Sequence, residues 1–390
     1  MNQHLEHLRL SATVALHDQI VAARAAGRPI YPLHVGDPDF PTPPPVIQMA
    51  ERALHDGLTH YAPSQGLPEL RQAIAHALHR DRGLDYDPEQ EILVTHGGIH
   101  AYYVAMQALL NPDDEVLIPD PSWATHANLV ILLRGRPIRV PAPAENDFLP
   151  ALSAWEQAIT PRTRALVINY PSNPTGAYPS LAYLQRLHEF AAAHRLWMVS
   201  DEVYHNLYYD EPPASAAAPA GAKERTLLVN SLSKTYAMTG WRVGYLAGPA
   251  PIIQAALKAG QNSITCLAPF IQRAAAFALT DPHVQQTAAE MRAAYARRRA
   301  RVLAIAAERP SSAIAVRPPR GALYFFLDLR AVGLPSHELA ARLLQEANVA
   351  LVPGAAFGEQ GEGFLRMSLA AADSEVEAGF RALLDWLDRQ

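Results

Sequence analysis

Lysine is nearly missing from this chain. Its 33 basic residues comprise 30 arginines and three lysines, Lys223, Lys234 and Lys258, so chemistry that needs a primary amine has three candidates. Cysteine is scarcer still. The single Cys266 excludes an intramolecular disulfide and a cysteine-rich metal site, and no metal is expected. No apolar run approaches the ~18 residues of a membrane span. The N-terminal stretch, Met1 to Leu16, lacks the basic-then-apolar pattern of a signal peptide. Positive charge is not in excess either, and a formal charge of -5 argues against a general nucleic-acid binder. The expectation is a cytoplasmic protein with neither membrane nor nucleic-acid partners.

What is present describes a globular protein. Hydrophobic residues at 49% and charged residues at 18% of 390 supply a sizeable core. At ~100–200 residues per domain, the length suits two or three domains, or one large α/β body with an addition. Strand-like runs alternate with helical patterns through the middle. The strands are Glu91–Thr95, Glu115–Pro119, Arg164–Asn169, Trp197–Ser200, Leu227–Asn230 and Val243–Ala247. Helical patterns cover Gly98–Leu110, Ser122–Leu133 and Ser180–His194. Such alternation implies crossover units and a mainly parallel sheet.

After Asp281 the texture becomes α+β. A long helix over Val284–Glu308 precedes strands at Ala322–Leu329, Val349–Val352 and Phe364–Ser368, with helices over Ser336–Ala347 and Ser374–Asp388. The expected division is an N-terminal segment 1–45, a large domain 46–283 and a smaller domain 284–390. Pro41–Pro45 reads as the link into the main body. Ala214–Ala222 reads as a low-complexity surface loop.

Lys234 follows the strand Leu227–Asn230, within Ser231-Leu-Ser-Lys-Thr-Tyr-Ala-Met-Thr-Gly-Trp-Arg242. Open α/β sheets place chemistry at strand ends. Two hydroxyls, Ser231 and Ser233, and the later Arg242 suit a phosphate dianion, which guanidinium grips in a bidentate way. A lysine beside a phosphate site suggests a phosphorylated aldehyde held as a Schiff base. The bland alternative is a surface lysine in an ordinary Ser/Thr loop. Three further segments bear on that choice. Asn169-Tyr-Pro-Ser-Asn173-Pro-Thr-Gly ends one strand, and Ser200-Asp201-Glu-Val-Tyr204 ends the next. Thr95-His-Gly97-Gly98-Ile99 joins a strand to a helix start, where free N–H groups bind phosphate. Alone, the two glycines could be a plain turn and Asp201 a structural cap. Together they put an acid, a phenol, an amide and a phosphate nest on one sheet edge.

In these segments the chain resembles the fold-type I pyridoxal-phosphate enzymes of the class I/II aminotransferase family. The likeness runs from Gly36-Asp-Pro-Asp-Phe-Pro-Thr-Pro43 to Phe364-Leu-Arg366-Met-Ser. The resemblance implies a large domain with a seven-stranded-type, mainly parallel sheet between helices, and a small α+β domain built from both chain ends. It implies pyridoxal 5′-phosphate as cofactor, with Lys234 forming the internal aldimine and then acting as the base at Cα. Asp201 pairs with the pyridine nitrogen, Asn173 and Tyr204 with the ring 3-oxygen, and Trp123 stacks on the ring, where core packing is the alternative. Gly98, Ile99, Ser231, Ser233 and Arg242 hold the phosphate. By the same resemblance Tyr61 is expected to reach the phosphate of a neighbouring subunit, which would make the protein at least a homodimer. Arg366 clamps the substrate carboxylate with help from Asn173, near Gly36, and Tyr324 walls the pocket.

The departures concern specificity. His126 stands three residues after Trp123, where many relatives carry tyrosine. His34 precedes Gly36, and His100 sits in the first turn after the phosphate nest. Each has a functional and a structural reading. Aspartate-type relatives take a distal-carboxylate arginine from the partner near Ala255–Thr265, and this stretch has none. The expected reaction is ping-pong transfer between an aromatic, neutral or acidic L-amino acid and a 2-oxo acid. A β-eliminating C–S lyase would keep every cofactor residue and is the rival. A non-catalytic regulator fused to a DNA-binding domain is disfavoured by the acidic charge and by a start close to the enzyme body.

Overall fold

The computed structural model describes residue 8 and residues 12–390. Most of the N-terminal stretch read for a leader lies outside these residues. Seven strands form the main sheet: β1 Ile92–His96, β2 Glu115–Asp120, β3 Arg136–Pro141, β4 Thr163–Asn169, β5 Trp197–Asp201, β6 Thr226–Ser231 and β7 Val243–Ala247. Their order is β1-β7-β6-β5-β4-β2-β3. β7 runs antiparallel to both its neighbours, β1 and β6, and the remaining pairs are parallel. A second, antiparallel sheet of β8 Tyr324–Asp328, β9 Val352–Pro353 and β10 Phe364–Ser368 has the order β8-β10-β9.

Among the described residues, twelve helices flank the sheets. They are α1 Ala12–Ala25, α2 Pro44–His55, α3 Pro68–Arg82, α4 Gly97–Leu109, α5 Ala124–Leu132 and α6 Leu152–Ala158. Then come α7 Leu181–Ala193, α8 Ala250–Ser263, α9 Pro269–Thr280, α10 Pro282–Glu308, α11 Ser336–Glu346 and α12 Asp373–Leu387. The central strands read as unbroken apolar runs because both faces are covered. Val116, Ile118, Val167 and Val199 point towards α4 and α8. Their neighbours Leu117, Leu166, Ile168 and Met198 point towards α7 and Trp155 of α6. The second sheet packs on α10, α11 and α12 around Phe325, Leu365, Phe380 and Trp386. The 27-residue α10 starts sharply, with Asp281 accepting the N–H groups of His283 and Val284 at 3.0 Å and proline at the first position.

Three sequence expectations are corrected. Strand β3 escapes a hydrophobic reading because it lies on the sheet edge, where Pro137, Arg139 and Pro141 are tolerated. The segment Ala214–Ala222 is not a surface loop: Ser215, Ala216 and Ala217 are buried. Ser215 Oγ and the Ala216 N–H donate to Glu202 Oε1, at 2.8 and 3.0 Å. Small side chains let this backbone pack closely, and that reason does not show in composition. Lys223, which its place beside that low-complexity segment suggests as a solvent position, is half-buried. Its ammonium donates to Glu91 Oε2 at 2.8 Å and lies over the Tyr86 ring.

Candidate active site

The ends of β4, β5 and β6 bring Asn169, Asp201 and Ser231 to one edge of the main sheet. The segment 35–37, the start of α4, and Tyr324 and Arg366 of the second sheet close over that edge. The cavity between them measures about 540 Å³ and opens to solvent. Strand β1 passes into α4 with no intervening loop. Gly97 makes the turn at a φ of +74°, and a side chain there would run into the Arg242 guanidinium. The positive φ favours glycine at this position, and its missing side chain leaves room for the guanidinium.

One end of the cavity suits a dianion. The first N–H groups of a helix have no partner within it, and His96 supplies no side-chain cap to α4. Gly98 and Ile99 present that helix start to the cavity, beside the side chains of Ser231, Ser233, Thr239 and Arg242. No acidic residue lies in the first turn of α4. Arg242 is anchored by donating from one terminal nitrogen to the Thr239 carbonyl at 2.7 Å.

The middle carries the amine. Lys234 Nζ donates to the Gly36 carbonyl at 2.7 Å. Burial pushes its pKa down to about 8. Asp37 and Asp201 oppose that shift, while Arg366 and Arg242 add to it. Asp201 is buried, with Oδ1 accepting the Val203 N–H at 3.2 Å and Oδ2 facing His126 Nε2 at 3.0 Å. His126 is fully buried, in ring contact with Tyr102 and edge-on to Trp123, which lines the cavity. The Tyr204 and Tyr324 hydroxyls share a hydrogen bond of 2.7 Å. Burial and the adjacent Tyr324 hold the Tyr204 phenol well above its ordinary pKa.

The far end carries a buried guanidinium. Arg366 donates to Asn173 Oδ1 and to the His34 carbonyl, both at 2.8 Å, and lies over the rings of Tyr324 and Phe357. Burial lowers its pKa. Asn173 is itself positioned: its N–H donates to Asn169 Oδ1 at 2.9 Å, and Asn169 Nδ2 donates to the Asp201 carbonyl at 3.0 Å. A guanidinium left with charge and few acceptors in a low-dielectric wall is suited to a carboxylate.

The structure thus gathers Gly36, Gly98, Ile99, Trp123, Asn173, Asp201, Tyr204, Ser231, Ser233, Lys234, Arg242, Tyr324 and Arg366 around one cavity. Tyr61 is not among them. It is 91% exposed, in a separate depression with His60, His96 and Cys266. The three singled-out histidines part company. His126 is on Asp201, and His34 offers its carbonyl to Arg366. His100 turns away from the cavity towards Ser263, its Nδ1 accepting the His96 N–H. Burial and the neighbouring His96 lower its pKa to about 4. Sequence reading missed Asp37, Thr125 and Thr239 as lining residues. Asp37 adjoins Gly36, and Thr125 lies two residues past Trp123, so proximity to recognised positions was the available signal.

Comparison with known proteins agrees with this geometry. The family described as aminotransferase class I and II matches residues 28–383. An aspartate aminotransferase of Pyrococcus abyssi is 42% identical over 355 residues, 90% of each chain. The aromatic-amino-acid aminotransferase 2 of Thermococcus litoralis is 41% identical over 89% of each chain. Among solved structures, an aspartate aminotransferase of Thermus thermophilus with maleate superposes with a TM-score of 0.93, at 36% identity and 99% coverage of both chains.

Proposed function

The chain belongs to the class I and II aminotransferase family, and from that premise we propose a ping-pong exchange of an amino group between an L-amino acid and a 2-oxo acid, with pyridoxal 5′-phosphate as resident cofactor. The observation that carries this reading is the amine of Lys234, half-buried between a dianion-binding end and a carboxylate-binding end of one cavity. The relatives with which the chain aligns are aminotransferases, which sets the C–S lyase alternative aside.

The residues present fit the cofactor. The uncapped start of α4 and the Gly97 cradle leave room and donors for a phosphate. Gly98, Ile99, Ser231, Ser233 and Arg242 would hold it there. Asp201, kept in place by Val203 and His126, would pair with the ring nitrogen, and Asn173 and Tyr204 would meet the ring 3-oxygen. Trp123 would stack on the ring. When bound, the cofactor supplies an aldehyde that captures amines and a ring that accepts an electron pair from the substrate.

The protein's own part is proton handling and orientation. Lys234 has a depressed pKa, so it reaches the neutral form needed to take the proton from the substrate Cα. Arg366 turns its N–H groups to the substrate carboxylate and fixes which bond at Cα faces the lysine. The donors proposed are aromatic, neutral or acidic amino acids, with 2-oxoglutarate or pyruvate as acceptor. Val35, Trp123 and Tyr324 on the cavity wall support the aromatic and neutral donors, and the lack of arginine across Ala255–Thr265 argues against an enzyme restricted to dicarboxylates.

The wider reading includes a homodimer in which Tyr61 enters the neighbouring site. Its exposure beside exposed Ile264 supports this, since such apolar patches mark contacts between proteins. Among the described residues no helix is long and apolar enough to cross a membrane. A cytoplasmic location is retained, because a single unpaired cysteine suits a reducing compartment. The division at residues 45 and 283 is also retained. Its support is that Tyr31 and Leu33 bond to Asn348, Ala350 and Ser368, which ties the N-terminal segment to the second sheet.

A panel of L-amino acids mixed with holoenzyme, without acceptor, tests the reaction. Conversion of the cofactor absorbance to that of pyridoxamine phosphate, reversed by 2-oxoglutarate, is expected. Stoichiometric release of ammonia with pyruvate would contradict it.

A further inference from the structure

Four contacts tie the segment Leu33–Asp39 to distant parts of the chain, and two of them are made by β10. The Leu33 carbonyl accepts the Ser368 N–H at 2.7 Å, and the His34 carbonyl accepts from Arg366 at 2.8 Å. The Gly36 carbonyl accepts from Lys234 at 2.7 Å. The fourth bond is made by a residue outside the cavity. Arg298 of α10 grips the Asp39 carboxylate through both terminal nitrogens, at 2.7 and 2.8 Å. The same guanidinium donates to the Leu369 carbonyl at 2.9 Å, three residues beyond Arg366. Its Nε donates to Asp373 at 2.6 Å. Arg298 is 6% exposed and lies over the rings of Phe40 and Tyr295, which themselves meet edge to face.

We propose that Arg298 is a positioning residue that locks the Gly36 segment to the end of β10, and so sets the spacing between Lys234, Gly36 and Arg366. The proposal rests on the aminotransferase reading. A planar fork with five donors can join a carboxylate and a carbonyl at fixed geometry, which a lysine cannot do. Misplacing a substrate-orienting group by about an ångström costs up to about a hundredfold. Asp39 is the partner that only this function needs, whereas Asp373 holds the same guanidinium on the helix side and is 67% exposed.

The test compares Asp39→Ala, Asp39→Asn and Asp373→Ala holoenzymes. For Asp39→Ala, KM for the amino acid should rise by about tenfold to a hundredfold with kcat within about threefold. Amide hydrogen exchange should quicken in residues 33–40 and not in β4 to β6. Asp39→Asn keeps one acceptor, so its KM should fall between those of Asp39→Ala and wild type. That variant carries the test if the alanine form does not fold. Asp373→Ala should stay within about twofold of wild type. An unchanged KM in both Asp39 variants would overturn the proposal, as would an equal rise in Asp373→Ala. If wild type converts no amino acid, the functional reading fails, and the exchange arm judges the anchor alone. Quicker exchange confined to 33–40 in Asp39→Ala would then support it, and unchanged exchange would overturn it.

Discussion

The two ends of the cavity are built in different ways. The dianion end comes from two short runs of chain: Gly98 and Ile99 lie one turn past β1, and Ser231, Ser233, Lys234 and Arg242 fall within twelve residues starting at the end of β6. The carboxylate end is assembled from distant parts. Arg366 finds its acceptors at Asn173 and His34, 193 and 332 residues away along the chain. Residues within one short run are placed by the backbone of that run. A distributed site is only as well placed as the contacts that hold its segments together. The cofactor end should therefore tolerate changes at the carboxylate end, and the reverse.

Loss of the shared residue should have the largest effect. Lys234→Ala removes both the amine that holds the cofactor and the base at Cα, and turnover should fall by about 10⁴ or more. Single-turnover measurement with cofactor supplied in excess checks it. Next is Arg366→Ala, for which kcat/KM should drop by about 10² to 10³, from removal of a charged hydrogen-bonding partner in a buried site. Cofactor affinity, measured by titration of the apoprotein, should stay within about twofold of wild type. Ser233→Ala should do the opposite. Cofactor affinity should weaken by about tenfold, the scale of one hydrogen bond to a charged group, with the amino-acid KM unchanged at saturating cofactor. A weakening of both parameters in either variant would mean the two ends are coupled.

An effect of the same tenfold scale is expected from pH. With the Lys234 pKa near 8, its neutral fraction rises about tenfold between pH 7 and pH 9. The rate at which apoprotein takes up pyridoxal phosphate should rise likewise, with a midpoint near 8. The same shift has a signed consequence for stability. Between about 8 and the ordinary lysine value, the unfolded chain binds the proton that the folded chain has released. Apoprotein stability should therefore increase with pH across that window, and Lys234→Met should abolish this increment. Denaturant midpoints of the two proteins at pH 7.5 and pH 10 measure it.

Legibility in the sequence follows the same division. Strands β2, β4 and β5 were readable because burial on both faces leaves continuous apolar runs. The residues around Lys234 were readable because one turn carries them. His126 was noticed, yet its pairing with Asp201, 75 residues on, depends on α5 packing beside the end of β5. Nothing local marks Arg298 as different from the other arginines of α10. Its role appears only when Asp39 and Leu369 meet it in three dimensions. Strand β3 and the buried Ala214–Ala222 segment failed for a related reason: edge position and close packing are tertiary facts.

The scarcity of lysine makes the central claim open to one direct measurement. Borohydride reduction of the holoenzyme fixes the cofactor to whichever amine holds it, and peptide mass spectrometry then reads the site. Among the side-chain amines only Lys223, Lys234 and Lys258 compete. Lys223 is paired with Glu91, and Lys258 is exposed on α8. The cofactor mass should appear on the peptide containing Lys234 alone, near one per chain. Label on Lys223 or Lys258, or none at all, would contradict the assignment of this cavity as the site of the chemistry.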